Sequence, residues 1–256
     1  MIEEKKLLID GLEINYKTAG SGPAILILHG WGGSSDSWAK VQESLSTEFK
    51  VICPDLPGFG KTNTPALPWK LNDYLDFVLK FSSEIGMDKF ILIAHSFGGR
   101  ISIKLAAEHP DKIIKMVLTA PAGLKVRPNL KTKVIFLIAA AGNIIFSLKP
   151  LRVFKNWTRD LFYFFIRKGD YAKANETMKE TMKNVLSEDL LSYLNQIKTK
   201  TLIIWGKKDK MVPLEHAYIL HRSIENSELR IFDKVGHSPH LEVPERLINI
   251  IKSFIQ

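Results

Sequence analysis

Short, wholly apolar runs recur along the first half of the chain, each closed by a turn residue. Ala24-Ile25-Leu26-Ile27-Leu28 ends at His29-Gly30, Val51-Ile52-Cys53 ends at Pro54, and Phe90-Ile91-Leu92-Ile93-Ala94 ends at His95-Ser96. Runs without polar alternation suit strands covered on both faces of a parallel sheet. Lys115-Met116-Val117-Leu118 adds a further strand. Between these runs the spacing predicts helices over 34–46, 72–85 and 98–108, with Ser34, Ser35 or Asp36 available to cap the first. Ahead of them Leu7-Leu8-Ile9 and Leu12-Glu13-Ile14 flank Asp10-Gly11. Asp-Gly tolerates the positive φ of a two-residue turn, so this segment is read as a hairpin. Strands alternating with helices imply right-handed crossovers and a mostly parallel central sheet flanked by helices, an α/β architecture.

The rhythm stops after Pro121 and returns at Thr201-Leu202-Ile203-Ile204-Trp205, then at Leu229-Arg230-Ile231-Phe232, with a last helix from Pro244 to Ile255. The intervening stretch has helical patterns and no clear buried strand. It is too long for a loop. The reading is therefore a core of residues 1–122 and 198–256, with an inserted helical cap, or lid, over 123–197.

The junction of the third apolar run with the helix after it carries the candidate chemistry. Ala94-His95-Ser96-Phe97-Gly98-Gly99 sets a serine in a strand-to-helix turn with small residues around it, the context of a nucleophile elbow. Ala94 stands where the usual motif has glycine. Alone, such a match also fits a serine that merely caps a helix, so its partners decide. Elbow nucleophiles take them in the chain order serine, acid, histidine. Of the seven histidines, His237 follows the last strand, in Val235-Gly236-His237-Ser238-Pro239, at the sheet edge where Ser96 lies. His240 is its rival, with a structural or rim role as the alternative. His29 is read as bracing its loop. Asp209, in the segment after Trp205, is the expected acid; the alternative position, Thr119-Ala120-Pro121-Ala122, has no carboxylate. An oxyanion hole needs two backbone N–H groups, here expected from Phe97 and from Trp31 in His29-Gly30-Trp31-Gly32-Gly33.

Pro57-Gly58-Phe59-Gly60-Lys61-Thr62 resembles the end of a P-loop, but Asp55 stands where the first glycine is required. Neither a cofactor nor a metal ligand set is expected. The net charge of +9 comes from scattered lysines without a nucleic-acid motif, so nucleic acid is not an expected partner. Most of the charge falls in 123–197, where 13 Lys and Arg face 6 Asp and Glu, a net of +7. That leaves room for peripheral contact with an anionic membrane, but no stable insertion: the apolar stretch 134–148 is too short to span a bilayer. The single cysteine, Cys53, excludes an internal disulfide and reads as a buried thiol. With no visible signal peptide, the expected location is the cytoplasm. Oligomeric state is left open.

Together these segments resemble the α/β-hydrolase superfamily. The likeness is carried by Leu28-His29-Gly30-Trp31, Asp55-Leu56-Pro57-Gly58-Phe59-Gly60, the 94–99 elbow, Trp205-Gly206-Lys207-Lys208-Asp209 and Gly236-His237-Ser238-Pro239-His240-Leu241-Glu242. The layout is similar to cap-bearing serine carboxylesterases and to carbon–carbon bond hydrolases of ring-cleavage products. Haloalkane dehalogenases and epoxide hydrolases share it too, but use an aspartate nucleophile. The resemblance implies a catalytic triad of Ser96, His237 and Asp209 acting on a small-molecule acyl substrate. The expected activity is that of a carboxylesterase-like serine hydrolase cleaving an ester or lactone through an acyl-enzyme, with carbon–carbon bond cleavage of a vinylogous diketone acid and a slow-turnover ligand-binding or receptor role as the alternatives. Val134–Ile138 and Leu161–Ile166 are unusually apolar for an insertion; they either pack internally or line an acyl pocket, with Phe136, Phe162 and Phe165 as the candidate substrate-binding residues.

Overall fold

The computed structural model of the protein describes residues 1–125 and 175–256. The strands are β1 (Glu3–Ile9), β2 (Leu12–Ala19), β3 (Ala24–Leu28), β4 (Lys50–Pro54), β5 (Phe90–His95), β6 (Ile113–Thr119), β7 (Thr201–Gly206) and β8 (Ser227–Phe232). They form one sheet in the order β1-β2-β4-β3-β5-β6-β7-β8. The β1–β2 and β2–β4 pairs are antiparallel, and all pairs from β4 to β8 are parallel. The described helices are α1 (Ala39–Leu45), α2 (Leu71–Glu84), α3 (Phe97–Glu108), α4 (Glu176–Ser187), α5 (Leu214–Ser223), α6 (Pro239–Glu242) and α7 (Pro244–Ile255). By internal contacts the chain divides into two units, Met1–Leu124 with Ala174–Gln256, and Lys125–Lys173.

Because successive strand side chains point to opposite faces, each apolar run feeds two cores. On one face Leu26, Leu28, Leu92, Ala94, Met116, Leu118, Ile203 and Trp205 meet Tyr74, Phe77 and Phe81 of α2, Ile101 and Leu105 of α3 and Leu220 of α5. On the other, Ile25, Ile27, Ile91, Ile93, Val117, Leu202 and Ile204 meet Val41 and Leu45 of α1 and the apolar stripe of α7. That stripe is Leu247, Ile248, Ile251, Phe254 and Ile255, one face of a helix that opens with Pro244 and has Lys252 in its last turn. Truncating Ile251, fully buried, to Ala costs about 2–5 kcal/mol.

The hairpin turns at Asp10 (φ 49) and Gly11 (φ 81), as the sequence predicts. Its strands run longer than the apolar pattern suggests. The outer strand β1 is exposed over Glu3–Lys6, and Lys and Glu there are the polar side chains an edge strand tolerates. The helix expected over 34–46 begins instead as a 3-10 turn, Ser35–Trp38. Ser34 occupies the cap position but makes no capping bond; Asp55 Oδ1, from the loop after β4, accepts the Ser35 N–H at 2.6 Å. A carboxylate from another loop thus takes the place of a local cap.

After Glu188 the chain rejoins the sheet over α3. Arg100, buried, donates Nη1 to the carbonyls of Val185 and Glu188 at 2.9 and 2.7 Å, and Lys104 Nζ lies 2.6 Å from the Glu188 carboxylate. Burial lowers the Arg100 pKa to about 10, so its charge persists at neutral pH.

Candidate active site

From Phe90 to Ala106 every residue is buried except Ser96, which is half-buried at the junction of β5 and α3. Its backbone is strained, with φ 48 and ψ −107. A non-glycine residue in such a region typically costs about 1–3 kcal/mol and persists only where the surroundings enforce it. Here they do. Ser96 N–H donates to the Thr119 carbonyl, and its own carbonyl accepts from Arg100 and Ala122. The glycines after it are required by space: a Cβ on Gly98 would sit 2.3 Å from the Leu28 carbonyl oxygen, and one on Gly99 2.5 Å from Pro121 Cβ. Ala94 is fully buried and registered between Leu28 and Leu118, so its methyl group is accommodated.

His237 and Asp209 approach Ser96 from loops after β8 and β7. His237 Nε2 lies 3.0 Å from Ser96 Oγ, and His237 Nδ1 lies 2.7 Å from Asp209 Oδ2. The other Asp209 oxygen accepts backbone N–H bonds from Met211 and Val212 at 2.7 and 3.0 Å. The Asp209 side chain is completely buried. With one oxygen held by its own loop and the other by the imidazole, the carboxylate fixes the ring so that Nδ1 carries the proton and Nε2 faces the serine. The two loops interlock: a Cβ on Gly206 would sit 2.0 Å from the Gly236 carbonyl oxygen, and Lys208 N–H donates to Val235.

Trp31 and Phe97 meet beside Ser96. Their rings pack edge to face at 5.2 Å; Phe59 packs against both at 4.8 and 6.1 Å, and Tyr74 supports Phe97 at 4.9 Å. Among the described residues neither the Trp31 nor the Phe97 backbone N–H has an acceptor, whereas the next amide, Gly98, donates to the His29 carbonyl at 3.1 Å. His29 braces this loop as expected. Its Nε2 accepts from Leu56 N–H at 2.9 Å and its Nδ1 donates to the Gly30 carbonyl at 2.7 Å, which assigns the neutral tautomer. Burial lowers its pKa. Asp55 secures the adjoining loop through Ser35, Lys61 and Asn15. Burial opposes its charge, but these bonds together outweigh it and lower its pKa.

His240 is buried and does not take the place of His237. It stacks on Trp38 at 4.4 Å with ring planes 7° apart, and burial pushes its pKa down to about 3. Phe136, Phe162 and Phe165 lie outside the described residues. The aromatic contacts among Trp31, Phe59, Phe97 and Tyr74 have no counterpart in the sequence pattern. Phe59 stands in a segment that resembles both the end of a phosphate loop and a hydrolase motif, and neither likeness marks a contact between residues so far apart.

A family model described as alpha/beta hydrolase fold matches residues 23–148 and 154–244. The chain belongs to the α/β hydrolase family. Within it, the chain is similar to 2-hydroxy-6-oxo-6-phenylhexa-2,4-dienoate hydrolase of Burkholderia cepacia, 27% identical over 92% of this chain and 88% of that protein. It is likewise similar to pimeloyl-[acyl-carrier protein] methyl ester esterase of Nitrosomonas europaea, 27% identical over 92% of this chain and 97% of that one. A solved serine hydrolase involved in carbazole degradation superposes with a TM-score of 0.75 at 25% identity, covering 100% of this chain and 99% of that one. Among the described residues of this α/β hydrolase, no helix is long and apolar enough to cross a membrane.

Proposed function

We propose that the protein is a serine hydrolase that cleaves a carboxylic ester or lactone through an acyl-enzyme. The observation that carries this reading is the continuous chain from the Asp209 carboxylate through His237 to the Oγ of a strained Ser96. Ser96 Oγ attacks the acyl carbon as its proton passes to His237 Nε2. The negative charge on the resulting oxyanion is met by the N–H groups of Trp31 and Phe97, at the positive end of α3. Collapse breaks the acyl–oxygen bond, and His237 returns the proton to the departing alkoxide. A water then attacks the acyl-enzyme, gives its proton to His237, and the acid leaves as Ser96 recovers its hydrogen. The half-buried Trp31 ring beside the hole supports preference for apolar acyl groups. The methyl ester esterase relative supports the ester reading.

A second reading, cleavage of a carbon–carbon bond in a vinylogous diketone acid, is favoured by the likeness to the 2-hydroxy-6-oxo-6-phenylhexa-2,4-dienoate hydrolase. The two separate in one experiment. Purified enzyme is offered p-nitrophenyl esters from acetyl to dodecanoyl, a set of lactones, and a 2-hydroxy-6-oxo-dienoate followed by its visible absorbance. A kcat/KM for the dienoate that exceeds every ester and lactone overturns the ester reading. Labelling of Ser96 by a fluorophosphonate with no turnover of any of them points to a slow-turnover binding protein.

A further inference from the structure

The loop that carries His237 is held by two groups that the triad chemistry does not use. Glu242 accepts backbone N–H bonds from both neighbours of the histidine, Gly236 at 2.7 Å and Ser238 at 3.1 Å. The carbonyl of His237 itself is met by the side chain of His95, whose Nε2 lies 2.9 Å away. A carbonyl can only accept, so His95 Nε2 carries the hydrogen and donates. His95 immediately precedes Ser96, so one residue joins the nucleophile's strand to the backbone of its base.

The surroundings of His95 fit this role. Its ring lies 4.8 Å from the His237 ring and 4.6 Å from that of His240, which continues the stack to Trp38. Gly30, in the loop that carries Trp31, leaves room for it: a Cβ there would lie 2.7 Å from His95 Nδ1. Burial and the adjacent His240 and His237 keep its pKa well below the usual value, so it stays an uncharged donor when His237 takes up a proton. A cation at this place would oppose that uptake.

We infer that His95 is a positioning residue that sets the distance between the base and the nucleophile by donating to the main-chain carbonyl of His237. The inference rests on the proposed role of His237 as base. Glutamine places an N–H at the reach of His Nε2, asparagine falls one bond short, and leucine has no donor. With the best p-nitrophenyl ester, His95→Leu and His95→Asn are expected to lower kcat by about 10- to 100-fold with KM within about twofold, the signature of a misplaced catalytic group. His95→Gln is expected to stay within about threefold of wild type in kcat. Fluorophosphonate labelling of Ser96 should slow in the same order, and circular dichroism and thermal melting certify that each variant is folded. If the leucine variant fails to fold, the asparagine–glutamine pair decides. Equal kcat in those two folded variants, or a loss confined to KM, overturns the inference. An active Ser96→Ala or His237→Gln enzyme instead overturns the proposed function, a result that cannot be mistaken for the first.

Discussion

The two sides of Ser96 are held in place by different physics. On the side of His237, the proposed base, the fixing contacts are polar: Asp209 to His237, His95 to the His237 carbonyl, and Glu242 to the flanking amides. On the side of the proposed oxyanion hole they are largely ring contacts, with Trp31, Phe59, Phe97 and Tyr74 packed edge to face or tilted. The difference follows from what each side must do. An imidazole that gains a positive charge needs a paired anion and a fixed tautomer. An oxyanion hole needs donors that stay unpaired until the substrate arrives, so the donating amides cannot themselves be anchored by internal hydrogen bonds. Their neighbours can be, through His29 and Gly98, and the donor residues are steadied by packing their side chains.

Substitutions from Ser96 outward test this division between polar and aromatic support. Removing the proposed nucleophile has the largest expected effect: Ser96→Ala should abolish ester hydrolysis and fluorophosphonate labelling while the melting curve stays cooperative. More than a few per cent of residual rate would remove Ser96 from the mechanism. Next comes the base side. Asp209→Asn offers an amide N–H to Nδ1, favours the wrong tautomer, and is expected to lower kcat by about 10³–10⁴-fold. Steady-state kinetics on one ester measures it, and a loss below tenfold would mean another group orients the imidazole. The oxyanion side should respond more mildly. Phe59→Leu removes ring contacts to Trp31 and His29 but leaves both amides in place. We expect about a tenfold loss in kcat with KM little changed, a fraction of what deleting a donor costs. A larger loss than Asp209→Asn would reverse the order of the two sides.

The smallest effect is on stability rather than rate. The folded pKa of His240, about 3, lies below the ordinary histidine value near about 6.5, so the unfolded chain binds more protons between those limits. Stability therefore falls as pH drops through that window, by about 2 kcal/mol for this one group between pH 6.5 and 5. His240→Gln removes the titration. Its Tm should fall less than that of wild type from pH 7 to 5, with most ester activity retained at pH 7. Parallel Tm curves would show that His240 is already charged, or freely hydrated, in the fold.

Much of this was legible along the chain because it is locally encoded. A residue held at φ 48 between a strand and a helix needs glycines beside it, and Gly98 and Gly99 stand there. His237 and Asp209 are marked by chain order and by place, each in the loop after a strand. Parallel strands deliver all such loops to one sheet edge. The apolar runs announced the central strands for the same reason: burial on both faces leaves no polar position. The outer hairpin strands extend beyond their apolar runs because an edge strand carries Lys and Glu without leaving the sheet.

The α/β sheet, the elbow, and the serine, histidine and aspartate that face one another are written in the local sequence, since each depends on neighbours within a few residues or on the order of the strands. What holds those groups still emerges only on folding: Asp55 capping the turn at Ser35, Phe59 wedged against Trp31 and Phe97, and His95 reaching a carbonyl 142 residues away. Such contacts leave no local pattern, because a backbone carbonyl or a ring edge is available at almost any position, and only the folded chain selects the one that is within reach.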